Sequence, residues 1–203
     1  MEKKVKYHAF SDSIVRWICI ERKSDEHVMK TLSLEIFQLA LLQTYLIEQG
    51  IFIRGCVNLG PLYARDRILF GEAFNKAYKY ETKVAAYPLI VLPYKLVKYI
   101  LSHPQYRGDD ILHLFGNPEM KYNHSHNYIN YLHMIETMSL NCYERPKDIA
   151  AFMAVHKRFI EYEIEKNEDD IKVLMKYLWL KEYHNHYVPK LAEITGRNDL
   201  FIE

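Results

Sequence analysis

The chain has 203 residues, of which 49% are hydrophobic and 26% charged, and its formal net charge is +1. This length suggests one domain or one and a half, and the composition is ordinary for a globular protein. The near-zero net charge argues against a dedicated nucleic-acid binder, and no apolar run approaches the roughly 20 residues of a membrane span. The N-terminus lacks the apolar region of a signal peptide, and three cysteines without metal-like spacing favour a reducing, cytoplasmic compartment.

The first part of the chain predicts a β-hairpin followed by a long helix. Residues 5–10 alternate between polar and apolar side chains, Asp12 lies between two serines in typical turn chemistry, and residues 14–20 are rich in β-branched and aromatic types. Apolar residues then recur at helical spacing over residues 26–49, and Gly50 is a suitable stop.

The middle of the chain predicts, in order, a strand, a tight turn, a second strand, a helix and a third strand. Residues 51–57 alternate as in a half-buried strand, and the glycine and proline at 60–61 predict a turn. A short apolar run ends at Gly71, and the residues after it follow a helical period with one polar face. Residues 89–92 are apolar enough for an interior strand.

The remaining residues are predominantly helical in pattern. Residues 93–103 predict a short helix, residues 111–115 an edge strand, and residues 117–126 a loop. Helices are then predicted over four segments, with breaks at Pro146, near Asn167 and at Pro189: 127–141, 147–166, 168–185 and 188–195. The predicted fold class is therefore α+β, with a sheet-containing domain over residues 1–116 and a helical C-terminal extension over residues 117–203.

Two polar features suggest a functional site. Asp12, at the tip of the predicted hairpin, could present a carboxylate to Mg²⁺, although serine-flanked aspartate is also a good turn by itself. Asn75 and Lys79 lie four residues apart on the polar face of the helix after Gly71. They could contact one phosphate-bearing ligand together, although they also suit a solvated helix face. Further positive charge near this face comes from Arg65, Arg67, Lys76 and Lys83.

The histidines and tyrosines suggest no further chemistry. The pairs His124-x-His126 and His184-x-His186 lack a third ligand at a recognisable spacing, so a zinc site is not expected. The 17 tyrosines are expected to be amphipathic residues at the edge of the core. The sequence contains no phosphate-binding P-loop, no GxGxxG fingerprint and no nucleophile elbow.

Four stretches, in this order and spacing, resemble the class III nucleotidyl cyclase family: FSDSIV, GIFIRGCVNLGPL, ILFGEAFNKAYKYE and AYPLIVL. The branch that the chain most resembles is the Pycsar type, the cyclic-pyrimidine cyclases of antiphage defence, and KYLWLKEYHN is similar to the tail of that branch. The resemblance implies a ferredoxin-like cyclase-type sheet with helices on one face. It also implies a head-to-tail homodimer, or a pair with a related chain, with active sites at the interface.

The resemblance further implies two Mg²⁺ or Mn²⁺ ions held by two aspartates, and an attack of the ribose 3′-hydroxyl on the α-phosphate of a nucleoside triphosphate that expels pyrophosphate. Asp12 matches the second metal aspartate, Asn75 matches the asparagine that positions the ribose, and Lys79 falls where many members have an arginine. A lysine lacks the bidentate fork of arginine, so part of this role is expected elsewhere. The candidate substrate-binding residues are Arg54, Arg67 and Lys76.

Two departures from the family refine the expectation. Ile68 occupies the position of the base-reading aspartate of purine cyclases, which favours UTP or CTP as the substrate. The family's first strand, with the first metal aspartate, would precede Val5 and is missing from this sequence, so one metal ligand is expected to be missing as well. Two functions are therefore expected: a nucleotide cyclase that makes a 3′,5′-cyclic nucleotide as an antiphage second messenger and is shortened or inactive on its own, or a degenerate, non-catalytic module that binds a nucleotide or a full-length cyclase partner.

Overall fold

The computed structural model describes residues 5–10, 12–20, 23–65, 68–103, 127–141 and 146–203. Over these ranges the protein is α+β, as predicted, with six helices and seven short strands. The helices are α1 (Asp25–Glu48), α2 (Glu72–Lys83), α3 (Tyr94–Leu101), α4 (Tyr131–Asn141), α5 (Pro146–Lys166) and α6 (Ile171–Thr195). The strands are β1 (Lys6–Phe10), β2 (Ser13–Trp17), β3 (Gly55–Cys56), β4 (Tyr63–Arg65), β5 (Ile68–Phe70), β6 (Ile90–Leu92) and β7 (Asn127–Tyr128).

The described strands form three small sheets. Strands β1 and β2 form the predicted hairpin, and β4 pairs with β5 in a second antiparallel hairpin. The third sheet has β6 in its centre, parallel to β3 and antiparallel to β7. All three residues of β6 are buried, which confirms the predicted interior strand. A ferredoxin-like arrangement of the strands remains a prediction.

Helix α1 connects the first hairpin to the core. The side chain of Ser24 accepts a hydrogen bond from the His27 amide and caps the helix, as short polar side chains do at this position. Arg16 of β2 forms an ion pair with Glu35 of α1 at 2.7 Å and donates a hydrogen bond to Gln38 at 2.8 Å. These contacts hold the hairpin against the helix.

A single hydrophobic core joins the central sheet to the helices. It contains side chains of α1, β6, α3, α4, α5 and α6, among them Met29, Val91, Ile100, Leu132, Met153 and Trp179. An aromatic stack runs through it, in which Trp179 lies between Tyr87 and Tyr183 with ring centroids 5.2 Å apart on either side. Strand β6, which follows α2 in the chain, packs in this core together with the C-terminal helices, and this packing fixes its position.

The structure corrects the predicted strand over residues 51–57, because only the two residues of β3 are paired there. Phe52 instead packs by its side chain, edge-on to Tyr177 at 5.9 Å and tilted against His156 at 5.8 Å. Phe52 is therefore half-buried through contacts with helices rather than through a strand ladder, and Ile51 is exposed.

The structure also corrects two predicted helix boundaries. The helix predicted from residue 127 begins at Tyr131, because residues 127–128 pair with β6 as β7. The break predicted at Pro189 is absent from α6, which the structure describes throughout. Proline removes one backbone donor, but its buried neighbours Tyr187, Val188 and Leu191 anchor the helix on both sides. The predicted edge strand at 111–115, the loop at 117–126 and the domain boundary at 116 lie outside the described residues.

Candidate functional site

The candidate site lies where the β4–β5 hairpin leads into α2. Tyr63 and Phe70 are directly opposite each other in this hairpin, and their rings stack at a centroid distance of 4.7 Å. Cross-strand aromatic pairs of this kind stabilise two-stranded ribbons. The hairpin ends at Phe70, and α2 begins two residues later at Glu72.

Gly71 makes this sharp transition possible. Its φ of 139° is a conformation that other residues rarely adopt, and a Cβ atom added there would lie 2.7 Å from the carbonyl oxygen of Pro61. Two hydrogen bonds then hold the first turn of α2. The backbone N–H of Ala73 donates to the carbonyl of Pro61 at 3.0 Å, and the side-chain amide of Asn58 donates to the carbonyl of Ala73 at 3.1 Å. The N-terminal end of α2 is therefore set against the preceding loop.

Three predicted site residues come together on α2. Asn75, Lys76 and Lys79, called here the α2 face, line one open depression beside Phe70, Gly71 and Glu72. Asn75 and Lys79 are exposed, whereas Lys76 is half-buried and its ammonium lies 6.0 Å above the ring of Tyr80. An amide with two neighbouring ammonium groups can bind an anionic, oxygen-rich ligand, because the amide donates and accepts hydrogen bonds and the cations neutralise charge.

Cys56 lies close to this site, near the charge of Lys76, and its thiol is largely buried. Burial raises the pKa of its thiol to about 12, and the nearby charge of Lys76 lowers it only in part. A thiol with such a pKa is almost entirely protonated at neutral pH, and the thiolate is the reactive form. The depression therefore offers binding groups, without an activated sulfur.

The structure does not bring Arg54 to the depression. Arg54 forms an ion pair with Glu81 of α2 at 2.7 Å. Six residues separate Asn75 from Glu81, so the two side chains leave α2 on different faces of the helix. Arg54 consequently ties the loop before β3 to the side of α2 away from the α2 face. Arg67, the other predicted arginine, lies outside the described residues.

Asp12 is exposed in the turn between β1 and β2, and it is not among the residues that line the depression. In the ranges that the structure describes, no three His, Cys, Asp or Glu side chains are grouped so that they could hold a metal ion. A two-ion site needs several carboxylate ligands close together. The described residues therefore do not by themselves fit the Mg²⁺ or Mn²⁺ pair that the family resemblance implies.

A buried polar cluster was missed by the sequence-based prediction. Asn130 lies between two tyrosine hydroxyls, accepting from Tyr183 at 2.6 Å and donating to Tyr187 at 2.6 Å. The Asn130 side chain also accepts from the His133 amide, and the Tyr183 hydroxyl accepts from the Leu132 amide. Burial raises the pKa of both tyrosines. These groups are deep in the core, not at its edge as predicted, and their role is to join α4 to α6.

A second buried chain of hydrogen bonds involves two histidines. The Tyr131 hydroxyl oxygen lies 3.0 Å from His156 Nε2, and His156 Nδ1 lies 2.8 Å from His184 Nδ1. His184 Nε2 in turn lies 2.8 Å from the carbonyl oxygen of Leu200. Because that carbonyl only accepts, His184 Nε2 carries the proton, and its Nδ1 accepts from His156. His156 Nε2 then accepts from the Tyr131 hydroxyl. All three hydrogen bonds are therefore donated in the same direction, from Tyr131 through His156 and His184 to the Leu200 carbonyl.

Both histidine rings in this chain are neutral. Burial lowers the pKa of His156 well below its usual value, with a further decrease from His184 nearby, and burial lowers the pKa of His184 to about 4. The one sequence signal was the position of His184 between the apolar residues Leu180, Tyr183 and Tyr187, which marks a core histidine rather than a metal ligand.

Among the described helices, none is both long and apolar enough to cross a membrane. Comparison with protein-family models, with curated proteins and with solved structures found no match to this chain. The geometry of the α2 face and the resemblance of the sequence motifs are therefore the basis for a functional assignment.

Proposed function

We propose that this chain is a nucleotide cyclase-type protein that binds a nucleoside triphosphate, UTP or CTP, at the α2 face. The observation that carries the proposal is the placement of Asn75, Lys76 and Lys79 around one depression. These residues stand at the helix positions where the resemblance expects substrate contacts. If the chain is a cyclase, a second chain supplies the opposite half of the site, in a head-to-tail homodimer or in a pair with a related chain. In this proposal the site is built on a ferredoxin-like sheet.

The proposed roles follow from the chemistry of each side chain. Lys79 neutralises the α-phosphate, Lys76 adds charge along the triphosphate, and Asn75 hydrogen-bonds the ribose. In the cyclisation, the ribose 3′-hydroxyl gives its proton to solvent and its oxygen forms a bond to the α-phosphorus. The bond from that phosphorus to the bridging oxygen breaks, and pyrophosphate leaves with the electron pair. The resulting 3′,5′-cyclic nucleotide would serve as the antiphage second messenger.

A second candidate is a non-catalytic module that binds the nucleotide, or a full-length cyclase partner, without turnover. The observation that favours it is the isolation of Asp12, since the described residues hold no metal-binding group of three ligands. Arg54 supports either function indirectly, because its ion pair with Glu81 holds α2 in place.

One experiment separates these functions. The full chain is incubated with each of the four nucleoside triphosphates and Mn²⁺, nucleotide binding is measured by calorimetry, and products are identified by mass spectrometry. Asn75→Ala and Lys79→Ala are expected to weaken UTP or CTP binding by about 10-fold each, the cost of a lost charge-assisted contact. Lys95→Ala, which removes an exposed lysine of α3, is the matched control and should bind like the unaltered chain.

The outcomes are distinct. A cyclic nucleotide that disappears in Asp12→Ala supports the cyclase, and binding without product supports the non-catalytic nucleotide module. If no nucleotide binds, or if Lys79→Ala binds as well as Lys95→Ala, nucleotide recognition by the α2 face is wrong.

A further inference from the structure

The residues after α6 fold back along the C-terminal helices. Helix α6 ends at Thr195, and the left-handed φ of 69° at the next residue, Gly196, redirects the chain. Leu200 and Ile202 are then buried, with 1% and 4% of their surface exposed, whereas Phe201 between them is 45% exposed. This alternation is that of an extended peptide with two apolar anchors.

Side chains of α5 and α6 contact the backbone of this segment at successive residues. Lys157 donates to the carbonyls of Asp199 and Phe201 at 3.1 and 2.6 Å, and His184 donates to the carbonyl of Leu200 at 2.8 Å. Lys181 donates to the carbonyl of Glu203. Every carbonyl from residue 199 to residue 203 therefore accepts a hydrogen bond from a side chain, and the donor to the Ile202 carbonyl is Asn185.

Asn185 makes that remaining contact with both polar groups of one peptide residue. Its Nδ2 donates to the Ile202 carbonyl at 2.9 Å, and its Oδ1 accepts from the Ile202 amide at 2.9 Å. This two-point pairing copies the hydrogen bonds that a neighbouring β-strand would offer. The four donor residues, Lys157, Lys181, His184 and Asn185, are called here the tail groove.

The tail groove recognises peptide backbone in addition to two apolar side chains. Contacts to carbonyl and amide groups are available from any extended segment, while the two buried anchors require apolar residues spaced two apart. We propose that the tail groove is a peptide-docking site that holds the chain's own residues 197–203 and accepts the same segment from a second copy. Such an exchange reuses every contact already present, which is why swapped segments are a low-cost route to association.

Gly196 is suited to be the hinge of this exchange. A Cβ atom added there would meet none of the described atoms within 4 Å, so the chain has open space around its turn. Arg197 and Asp199 form an ion pair within the segment itself, so this pair moves with the segment when it leaves the groove. The proposal is independent of nucleotide binding, because no member of the tail groove belongs to α2.

The test uses the full chain carrying Leu200→Ala and Ile202→Ala, which removes both anchors of the resident segment. A fluorescent, N-acetylated peptide of residues 197–203 is titrated into it, and anisotropy is recorded. Saturable binding is expected, with at least a 10-fold loss when Asn185→Ala is added and no change when the exposed-lysine control Lys172→Ala is added. A peptide with alanine at both anchor positions should not bind.

The proposal is overturned if this chain has a native circular dichroism spectrum and melting temperature but does not bind the peptide, or binds it equally with Asn185→Ala. If the double variant does not fold, the unaltered chain is used as a mixture of ¹⁴N- and ¹⁵N-labelled copies with a carbodiimide crosslinker. Crosslinks of Lys157 to Asp199 that join light and heavy peptides are expected after incubation, and their absence overturns exchange between copies.

Discussion

The buried histidine pair predicts a loss of stability in mild acid. His156 and His184 are both fully buried, and both rings are neutral in the folded protein because burial lowers their pKa values. In the unfolded chain the same rings bind protons with a pKa near 6.5. Below that pH the unfolded state therefore holds more protons than the folded state. The pair's full contribution to stability is present above about pH 6.5 and is lost as the pH falls toward 4.

The magnitude follows from this difference in proton binding. Consider a ring that stays neutral in the folded protein and has a pKa near 6.5 in the unfolded chain. At pH 5 such a ring lowers the free energy of unfolding by about 2 kcal/mol, because only the unfolded chain binds the proton. For His184, whose folded pKa is about 4, the loss is nearly complete only close to that pH. The two rings together should lower the free energy of unfolding by about 4 kcal/mol between pH 7 and pH 5, a large fraction of the stability of a small protein.

Urea unfolding at pH 7 and pH 5 measures this loss. His184→Gln is the informative variant, because glutamine can donate to the Leu200 carbonyl and accept from His156 but does not titrate. Its loss of stability between the two pH values should be about 2 kcal/mol smaller than that of the unaltered chain. His27→Gln makes the same substitution at an exposed position near the start of α1 and is the matched control. Equal losses in the unaltered chain and in His184→Gln would refute a neutral, buried His184.

Three further predictions concern stability and thiol reactivity. Asn130→Ala leaves two buried tyrosine hydroxyls with fewer partners and should cost about 3 kcal/mol in urea unfolding. Gly71→Ala forces a Cβ atom against Pro61 at a φ that alanine rarely adopts, and should cost about 2–3 kcal/mol in the same assay. At pH 8 about 10⁻⁴ of Cys56 is thiolate, so peptide mapping after brief iodoacetamide treatment should find Cys19 modified and Cys56 unmodified.

Matched variants give these predictions their controls. Asn75→Ala removes an exposed amide and should change stability by less than about 0.5 kcal/mol. Gly196→Ala has open space around the new methyl group, so its cost is limited to about 1 kcal/mol of backbone strain. An Asn130→Ala chain as stable as Asn75→Ala, or equal losses at the two glycines, would contradict the packing described. Rapid labelling of Cys56 in the native protein would contradict its burial.

Local patterns in the sequence predicted most of the helices and the first hairpin, whereas the β4–β5 hairpin replaces what the sequence predicted as a single strand after the turn at residues 60–61. The alternation and turn residues around Asp12 predict β1 and β2, and the change of period after Gly71 predicts α2. Non-local packing explains the exceptions. Phe52 lies in an alternating stretch but is half-buried by contact with α5 and α6, and residues 127–128 form a strand by pairing with β6.

The polar residues can likewise be divided into those grouped by local sequence spacing and those brought together by non-local packing. Asn75 and Lys76 could each be grouped with Lys79 from the sequence, because residues three and four positions apart are neighbours on a helix face. By contrast, 28 residues separate His156 from His184, and 57 separate Asn130 from Tyr187. No periodicity connects such positions, so only the packing of α4, α5 and α6 brings them together. Arg54 belongs to this second group, because its partner on α2 decides which way it faces.

These two kinds of polar group have different consequences. The buried groups of α4 to α6 have partners within the core, where an unmade hydrogen bond costs about 1–3 kcal/mol, so their chemistry is committed to holding helices together. Helix α2 has no fully buried residue against the described chain, and two of its lysines lie three positions apart on one face. Like charges at that spacing oppose helix formation by a few tenths of a kcal/mol, a cost that a bound anion would reverse. A nearby glycine junction and the Arg54–Glu81 ion pair hold α2 despite its small buried area, which keeps its cationic face available to a ligand.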